Sequence, residues 1–376
     1  MHRSIKLTSI LAVLIIIAAF MQLIIACYHA WAFTTDDAYI SWRYASHLVH
    51  GEGLRWSPAN APVEGYSNFL WVILAALFIK LGLPVITTIK CFACLSLGIT
   101  MVFLYQLSRT FLSPLLATLP VYILSHYNGL IWWTVSGLET IFYIALILFV
   151  SWQSVRAVGF KALKKVPNVY DPVAWMLTCL GLTVLGLTRF DGAIWCIIVG
   201  VFIVCRIMCQ ANNDPLRLSL HWRSLLLIFL GCFILPYMAY FFWRITYFNH
   251  VLPNSYACKL STGGYLFQLI KDYSPIALPC FVLGLPYFFS HKDCRHSLLW
   301  LPSLIYSLLL FRADPTVAHY NRLFLGAFSV LTIIPVLGVQ EFFSYFHFKV
   351  QNNALASTVV ILLFTHWFIP IMTPTI

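Results

Sequence analysis

The chain has 376 residues, of which 61% are hydrophobic and only 9% are charged. Its mean hydropathy of +0.86 excludes an ordinary soluble globular domain. The formal net charge is +11, but the basic residues are dispersed among short loops, so we expect no nucleic acid partner. The 11 cysteines lie mostly inside apolar runs and are interpreted as packing side chains, not as disulfides or metal ligands.

Apolar runs long enough to cross a bilayer recur from one end of the chain to the other. They predict an all-α fold, a polytopic transmembrane helical bundle of about eleven spans. We expect a single transmembrane domain over 1–376 with no separate soluble domain. The predicted spans are 8–31, 85–108, 113–131, 138–155, 173–188, 193–209, 224–247, 273–290, 297–311, 323–340 and 354–372.

The apolar stretch 67–83 is assigned by the distribution of basic residues. If it crossed the membrane, the basic loop 156–165 would lie outside, against the positive-inside rule. If it forms a shallow helix instead, that loop becomes cytoplasmic, with the N-terminus inside and the C-terminus outside. We therefore predict a first outer loop over 32–84 that carries surface helices.

This threading brings the polar, motif-like segments of the chain to the outer surface. A transport pathway would instead distribute polar residues through the middle of the bilayer. The sequence thus favours chemistry at the outer interface. The segments are 34–66, 136–140, 189–192, 249–265 and 312–322.

Two adjacent carboxylates, Asp36 and Asp37, directly follow the first span. Thr35 or Asp36 is predicted to cap a surface helix over 37–50, which places the pair at a helix N-terminus that favours the ionised form. An ionised Asp beside a hydroxyl can act as a general base, and plain capping is the alternative. The apolar stripe of this helix is predicted to consist of Ile40, Tyr44 and Leu48.

Two further outer connections carry charged side chains. Ser136 and Glu139 have the spacing of a capping box at the start of a span, so Glu139 either caps the helix or belongs to a site. Arg189 and Asp191 occupy a tight connection between two spans. They form either a local ion pair or a place where Arg189 holds a phosphate.

The last two polar segments contain further cations. Lys259 follows a turn-forming Pro253-Asn254 and would meet either an anionic head group or the lipid interface. The loop 312–322 is so dense in charge that it is typical of an anion site, with a solvated loop as the alternative. Its titratable side chains include Arg312, Asp314, His319 and Arg322.

The chain resembles the GT-C integral-membrane glycosyltransferases in five motifs and in a late Arg/His/Tyr loop. The motifs, in order, are DDAYISWRYASHLVHGEGL, VEGYSN, SGLET, RFDG and LPNSYACKL. The resemblance covers nearly the whole chain and is to the branch that contains the mycobacterial terminal β-arabinofuranosyltransferase. The sequence has no counterpart of that enzyme's soluble C-terminal domain, and RFDG stands where the family often has Arg-Pro-Glu-Gly.

The resemblance implies an inverting glycosyltransferase. It would move a sugar from a polyprenyl-phosphate donor to an envelope glycan, glycolipid or lipopolysaccharide acceptor, at the periplasmic face of the bacterial inner membrane. Asp36 is expected to be the general base and Asp37 to orient it or to bind sugar hydroxyls. The cations expected at the donor phosphate, where negative charge grows, are Arg189, Lys259, Arg322 and Arg312. The substrate-binding candidates are Tyr39, Arg43, Glu64, Tyr66, Glu139, Asp191, Asn254, His319 and Tyr320.

No cofactor is expected, and the partners are the donor, the acceptor and membrane lipids. Asp36 and Asp37 could hold a divalent cation, although the mechanism does not require one. Three rival functions stay open from the sequence alone. They are a secondary transporter, a flippase or ligase of lipid-linked sugars, and a non-catalytic assembly protein of the envelope.

Overall fold

The structure, a computed structural model, describes residues 2–157, 170–192, 194–200, 203, 215–251, 253–254, 281–287, 297–309 and 322–345. Every regular element in these ranges is helical, which confirms the predicted all-α class. A π turn over Leu230–Ile234 separates α9 from α10. The helices are α1 (His2–His29), α2 (Asp36–Val49), α3 (Phe69–Lys80), α4 (Val85–Arg109), α5 (Thr118–Ser125), α6 (Asn128–Val135), α7 (Thr140–Ala157), α8 (Pro172–Thr188), α9 (Pro215–Phe229), α10 (Leu235–Phe248), α11 (Ser297–Leu309), α12 (Leu325–Leu331) and α13 (Ile333–Tyr345).

Four helical stretches among the described residues are long and apolar enough to cross a membrane. They are Thr8–His29, Val85–Arg109, Thr140–Ala157 and Trp222–Phe248. All Lys, Arg, Asp and Glu residues of these stretches lie within about two turns of a helix end. These residues are Lys90, Arg109, Arg156, Arg223 and Arg244. The middle parts of the stretches are therefore uncharged. The predicted spans 273–290 and 354–372 fall largely or wholly outside the described residues.

The stretch 67–83 forms the short helix α3. Its 12 residues extend over about 18 Å, which is less than the ~30 Å hydrocarbon core of a bilayer. Gly82 follows the helix with a positive φ of 72°, a conformation that glycine adopts without strain. The helix packs against α2. Its length and packing agree with the predicted shallow helix.

The predicted span 113–131 is divided into two short helices, α5 and α6. The Ser125 hydroxyl donates a 2.8 Å hydrogen bond to the carbonyl oxygen of Tyr122, and Nδ1 of His126 lies 2.8 Å from the same oxygen. Such local side-chain bonds compete with the helical ladder. The structure therefore replaces one predicted continuous span by a broken helix.

The stretch Trp222–Phe248 contains the π turn, which ends two residues before Pro236. Pro236 has no N–H, so the carbonyl of Cys232 lacks the donor that an ordinary helix would supply four residues on. The Thr183 hydroxyl of α8 donates a 2.7 Å hydrogen bond to that carbonyl. A neighbouring helix thus satisfies the polar group that the proline leaves unbonded.

The buried residues of α2 only partly coincide with the predicted apolar stripe. Tyr44 of that stripe is buried, while Ile40 and Leu48 are partly buried and pack against the core. The helix packs against α3. Thr35 precedes the helix, and its side chain makes no capping bond. The buried residues of α2 are Ala38, Ser41, Trp42, Tyr44 and Ala45.

Lys90 of α4 fixes the connection between α1 and α2. Its Nζ donates 2.7 Å hydrogen bonds to the carbonyl oxygens of Trp31 and Phe33, and the side chain is buried. The N–H of Thr35 donates to the carbonyl of Ser136 at 3.1 Å. The chain therefore enters α2 from a position that is held by α4 and by the segment before α7.

A buried ion pair attaches the first loop to α10. Nη2 of Arg244 lies 2.6 Å from the carboxylate of Glu64, and the two side chains are 1% and 3% exposed. Nε of Arg244 donates to both Glu64 oxygens at 2.8 Å, and Nη1 donates to the carbonyl of Val251 at 2.8 Å. The N–H of Asn254 donates to the carbonyl of Glu64 at 3.1 Å. We call this set the Glu64–Arg244 clamp.

Substitution of Glu64 by Gln is expected to destabilise the folded protein. The change leaves the Arg244 guanidinium buried without its counter-charge, which costs about 3–5 kcal/mol. The measurement is the unfolding temperature in detergent. Glu52→Gln is the matched control, because that carboxylate is exposed and lies 3.7 Å from His47. Equal, small effects of the two substitutions would contradict the assigned clamp.

Candidate functional site

Three side chains from distant parts of the chain converge on one carboxylate. Oε1 of Glu139 accepts hydrogen bonds from Nη1 of Arg189 at 2.8 Å and from Nη2 of Arg322 at 2.7 Å. Its Oε2 accepts from Nδ2 of Asn68 at 2.8 Å. The hydroxyl of Ser41 in α2 donates to Oδ1 of Asn68 at 3.1 Å. We call this arrangement the Glu139 network.

The Arg189 guanidinium is engaged on two sides. Its Nε and Nη2 donate to the two carboxylate oxygens of Asp191, at 2.8 and 3.2 Å. The hydroxyl of Tyr306 in α11 also donates to Asp191. This bidentate geometry is the strong, specific form of an Arg–carboxylate pair. Arg189 thus joins the connection after α8 to Glu139, and Tyr306 joins α11 to the same group.

The Glu139 carboxylate stays ionised in spite of its burial. Burial alone would raise its pKa, but Arg322, Arg189 and the Asn68 amide lower the pKa from the ordinary 4.5 to about 2. Burial also lowers the pKa of Arg322, and the charges of Glu139 and Asp37 oppose that effect. Nε of Arg322 donates to the Thr140 hydroxyl at 3.0 Å. The network is therefore a set of mutually compensated charges.

The two adjacent carboxylates of α2 lie on different faces of the helix. Asp37 shares its face with Ser41 at a spacing of four residues, and its charge acts on Arg322. Asp36 is exposed, and its Oδ1 accepts a 2.9 Å hydrogen bond from the N–H of Asp37. The helix position is set partly by Gly137, where a Cβ would lie only 2.9 Å from the Trp42 ring.

Asp36 borders an open groove of about 490 Å³ between α2 and the start of α4. Tyr39 and Arg43 of α2 line the groove, with Trp56 from the following loop. The Arg43 guanidinium lies 4.3 Å from the centre of the Trp56 ring, and its Nε donates to the Trp56 carbonyl at 2.8 Å. The charged end of this groove therefore has a fixed geometry.

The structure separates the predicted site residues into three groups. Glu139, Arg189, Asp191 and Arg322 form the network, and Asp36, Tyr39 and Arg43 border the groove. The third group, in or beside the Glu64–Arg244 clamp, consists of Glu64, Asn254 and Tyr66, whose ring is buried against Tyr44 and Phe248. The residues that lie outside the described part of the chain are Lys259, Arg312, His319 and Tyr320.

The sequence did not indicate several residues that the structure brings to these groups, among them Ser41 of the network and Arg244 of the clamp. Asn68 ends the motif VEGYSN and Thr140 ends SGLET, so both stood inside recognised motifs. Trp56 lies between Gly53 and Pro58, and its uncharged side chain gave no sign of a site. Tyr306 lies inside an apolar span, where a lone hydroxyl gives no signal. Among the described residues, no three His, Cys, Asp or Glu side chains come together as a metal-binding group.

Among solved structures, several chains are similar to this one in fold. No family model matches this chain, and no curated protein matches its sequence. The crystal structure of ArnT from Cupriavidus metallidurans bound to undecaprenyl phosphate is similar, with a TM-score of 0.64 over 92% of this chain at 11% sequence identity. This chain spans 62% of the ArnT chain. The likeness shows that the two chains share a fold, in agreement with the predicted polytopic helical bundle.

Acid is expected to weaken the protein through Glu139. Because the pKa is depressed from 4.5 to about 2 in the folded state, its stabilisation is complete above about pH 4.5 and is lost as the pH falls towards 2, a loss of a few kcal/mol. We expect Glu139→Gln to unfold at a lower temperature than the wild type at pH 7, and to lose less stability between pH 6 and pH 3. Parallel pH profiles of the unfolding temperature would contradict this, with Glu52→Gln as the control.

Proposed function

We propose that the chain is a membrane glycosyltransferase that moves a sugar from a polyprenyl-phosphate donor to an acceptor of the bacterial cell envelope. The observation that carries the proposal is the likeness in fold to an ArnT structure bound to undecaprenyl phosphate. The clustering of charged side chains at one end of the bundle supports it further. In the part of the chain that the structure describes, the spans hold no charge in their middle.

The proposed reaction is a single inverting displacement. The Asp36 carboxylate takes the proton of an acceptor hydroxyl, and the oxygen attacks the anomeric carbon on the face opposite to the phosphate. The bond between that carbon and the phosphate oxygen breaks with its electron pair, and polyprenyl phosphate leaves. Asp36 is the better base of the pair because it is exposed beside an open groove.

We assign Asp37 a positioning role. It faces the Glu139 network, where its negative charge acts on Arg322. A displacement of Arg322 would therefore change the electrostatic energy of Asp37, which is adjacent to the proposed base. Asp37 thereby couples the network to the groove.

Arg189 and Arg322 are better suited to hold the site together than to bind the donor phosphate directly. Their guanidinium groups bond to Glu139 and Asp191, so their charges are already compensated by two carboxylates. Negative charge that develops on a leaving phosphate requires cations that remain available to it. Lys259 and Arg312 stay the candidates for that role.

We further propose that this end of the bundle faces the periplasm, across the bacterial inner membrane. The opposite ends of α4 and α7 carry Arg109 and Arg156, which supports a cytoplasmic location for those ends under the positive-inside rule. A secondary transporter is less well supported. Arg244, the buried charge on α10, lies near the site end of its span and is paired with Glu64.

Substitution of Asp36 by Asn is expected to abolish transfer while donor binding persists. Loss of a general base lowers the rate by about 10²–10⁴-fold. The assay follows radiolabelled sugar from a panel of pentosyl and hexosyl polyprenyl phosphates into acceptors in membranes. Native mass spectrometry with undecaprenyl phosphate measures lipid binding separately.

The neighbouring carboxylate gives the matched control. Asp37→Asn keeps the proposed base, so we expect a smaller loss of rate together with a lower unfolding temperature. Wild-type activity in Asp36→Asn would remove Asp36 as the base. A complete loss in Asp37→Asn with full activity in Asp36→Asn would reverse the two roles.

A further inference from the structure

The groove beside Asp36 is lined by both charged and apolar side chains. Asp36 and Arg43 of α2 supply the charges. The apolar lining includes Ile40 of α2 and also Val85 and Ile86, the first two residues of α4. Because α4 is long and apolar enough to cross a membrane, we expect its first residues to bring one side of the groove close to the bilayer surface. A ligand that fills this groove would therefore need both a polar part and an apolar part.

Two aromatic side chains are exposed at this groove. Tyr39 is 53% and Trp56 is 45% exposed, although large aromatic side chains normally bury most of their surface. Aromatic rings beside hydrogen-bonding side chains suit the mixed apolar and hydroxylated faces of a sugar. The volume of about 490 Å³ falls within the ~300–1,000 Å³ range of small-molecule sites.

The polar wall of the groove is organised before any ligand binds. Arg43 is held by its bond to the Trp56 carbonyl and by its position over the Trp56 ring. A side chain fixed in this way loses little further freedom when it binds a hydroxyl. Oδ1 of Asp36 likewise accepts hydrogen bonds from the N–H of Asp37 and from the Thr35 hydroxyl. The two charged groups therefore present a defined pattern of donors and acceptors.

We infer that this groove binds the acceptor, and that the acceptor is a glycan carried on a lipid anchor. The terminal sugar lies between Tyr39, Arg43 and Trp56 with one hydroxyl towards Asp36, and the anchor enters the bilayer beside Val85 and Ile86. This inference rests on the proposed function and names the class of its acceptor. It also separates the acceptor groove from the Glu139 network, which lies on the other face of α2.

The test uses a photoreactive probe, an alkyl β-glucoside with a diazirine next to the glycosidic oxygen. The protein is embedded in phosphatidylcholine nanodiscs and irradiated with increasing probe, and the labelled peptides are identified by mass spectrometry. We expect saturable labelling of the peptides that contain Trp56 and Val85–Ile86. An alkyl diazirine without the sugar should label the spans without saturation.

Substitutions decide whether the sugar is recognised in the groove. Tyr39→Ala and Trp56→Ala should each weaken the saturable labelling about tenfold, the effect of one lost aromatic contact, and Trp56→Phe should restore part of it. Tyr28→Ala is the matched control, because Tyr28 is exposed at the end of α1 outside the groove. Unfolding temperatures show whether each variant folds.

The outcomes separate this inference from the proposed function. Release of sugar from a polyprenyl-phosphate donor, measured without acceptor, reports the proposed chemistry. Saturable groove labelling that depends on Tyr39 and Trp56 supports the inference. Absent or sugar-independent labelling in a protein that releases sugar would overturn the inference alone. Intact groove labelling in a protein that releases no sugar from any donor of the panel would overturn the proposed function, and the groove would then be a glycoside-binding site without an acceptor role.

Discussion

The carboxylate of Glu139 accepts hydrogen bonds from Arg189, Arg322 and Asn68, which belong to three distant segments of the chain. A buried charge of this kind is costly unless its partners are complete. The folded state therefore requires that the connection after α8, the segment before α12 and the start of α3 all reach the N-terminus of α7. The Arg189–Asp191 pair extends the same requirement to α11 through Tyr306. The position of α2 depends on this constraint, because Ser41 of α2 bonds to Asn68 of the network and α2 packs against α3.

The position of the acid pair follows from that frame. Lys90 holds the end of α1, and the N–H of Thr35 bonds to the carbonyl of Ser136, three residues before Glu139. The first turn of α2 is thus fixed at both sides. Helical geometry then sends neighbouring carboxylates in different directions. The helix α2 therefore directs Asp37 towards the Glu139 network and Asp36 towards the groove.

The sequence allowed the fold class to be predicted from hydropathy. It also predicted, from the distribution of basic residues, that the polar segments converge, and the described parts of those segments do so. The sequence also predicted a short, shallow helix at 67–83, and the 12-residue length of α3 agrees with that prediction. It did not predict which charges pair. Arg244, for example, pairs with Glu64, which lies 180 residues away in the sequence. The apolar stripe of α2 does pack against the core, but hydrophobicity alone did not indicate that Ser41 and Trp42 would be buried beside it. Pairing and packing of this kind depend on tertiary contacts that no local pattern contains.

The central claim is that the end of the bundle around Glu139 handles a lipid phosphate, with Asp36 facing the sugar that the phosphate carries. The most direct measurement is the location of the phosphate in an experimental structure of this protein with bound undecaprenyl phosphate. The account predicts phosphate density at the end of the bundle that contains Asp36, separated from its carboxylate by about the width of one sugar ring. Phosphate density at the opposite end, near Arg109 or Arg156, would contradict the account.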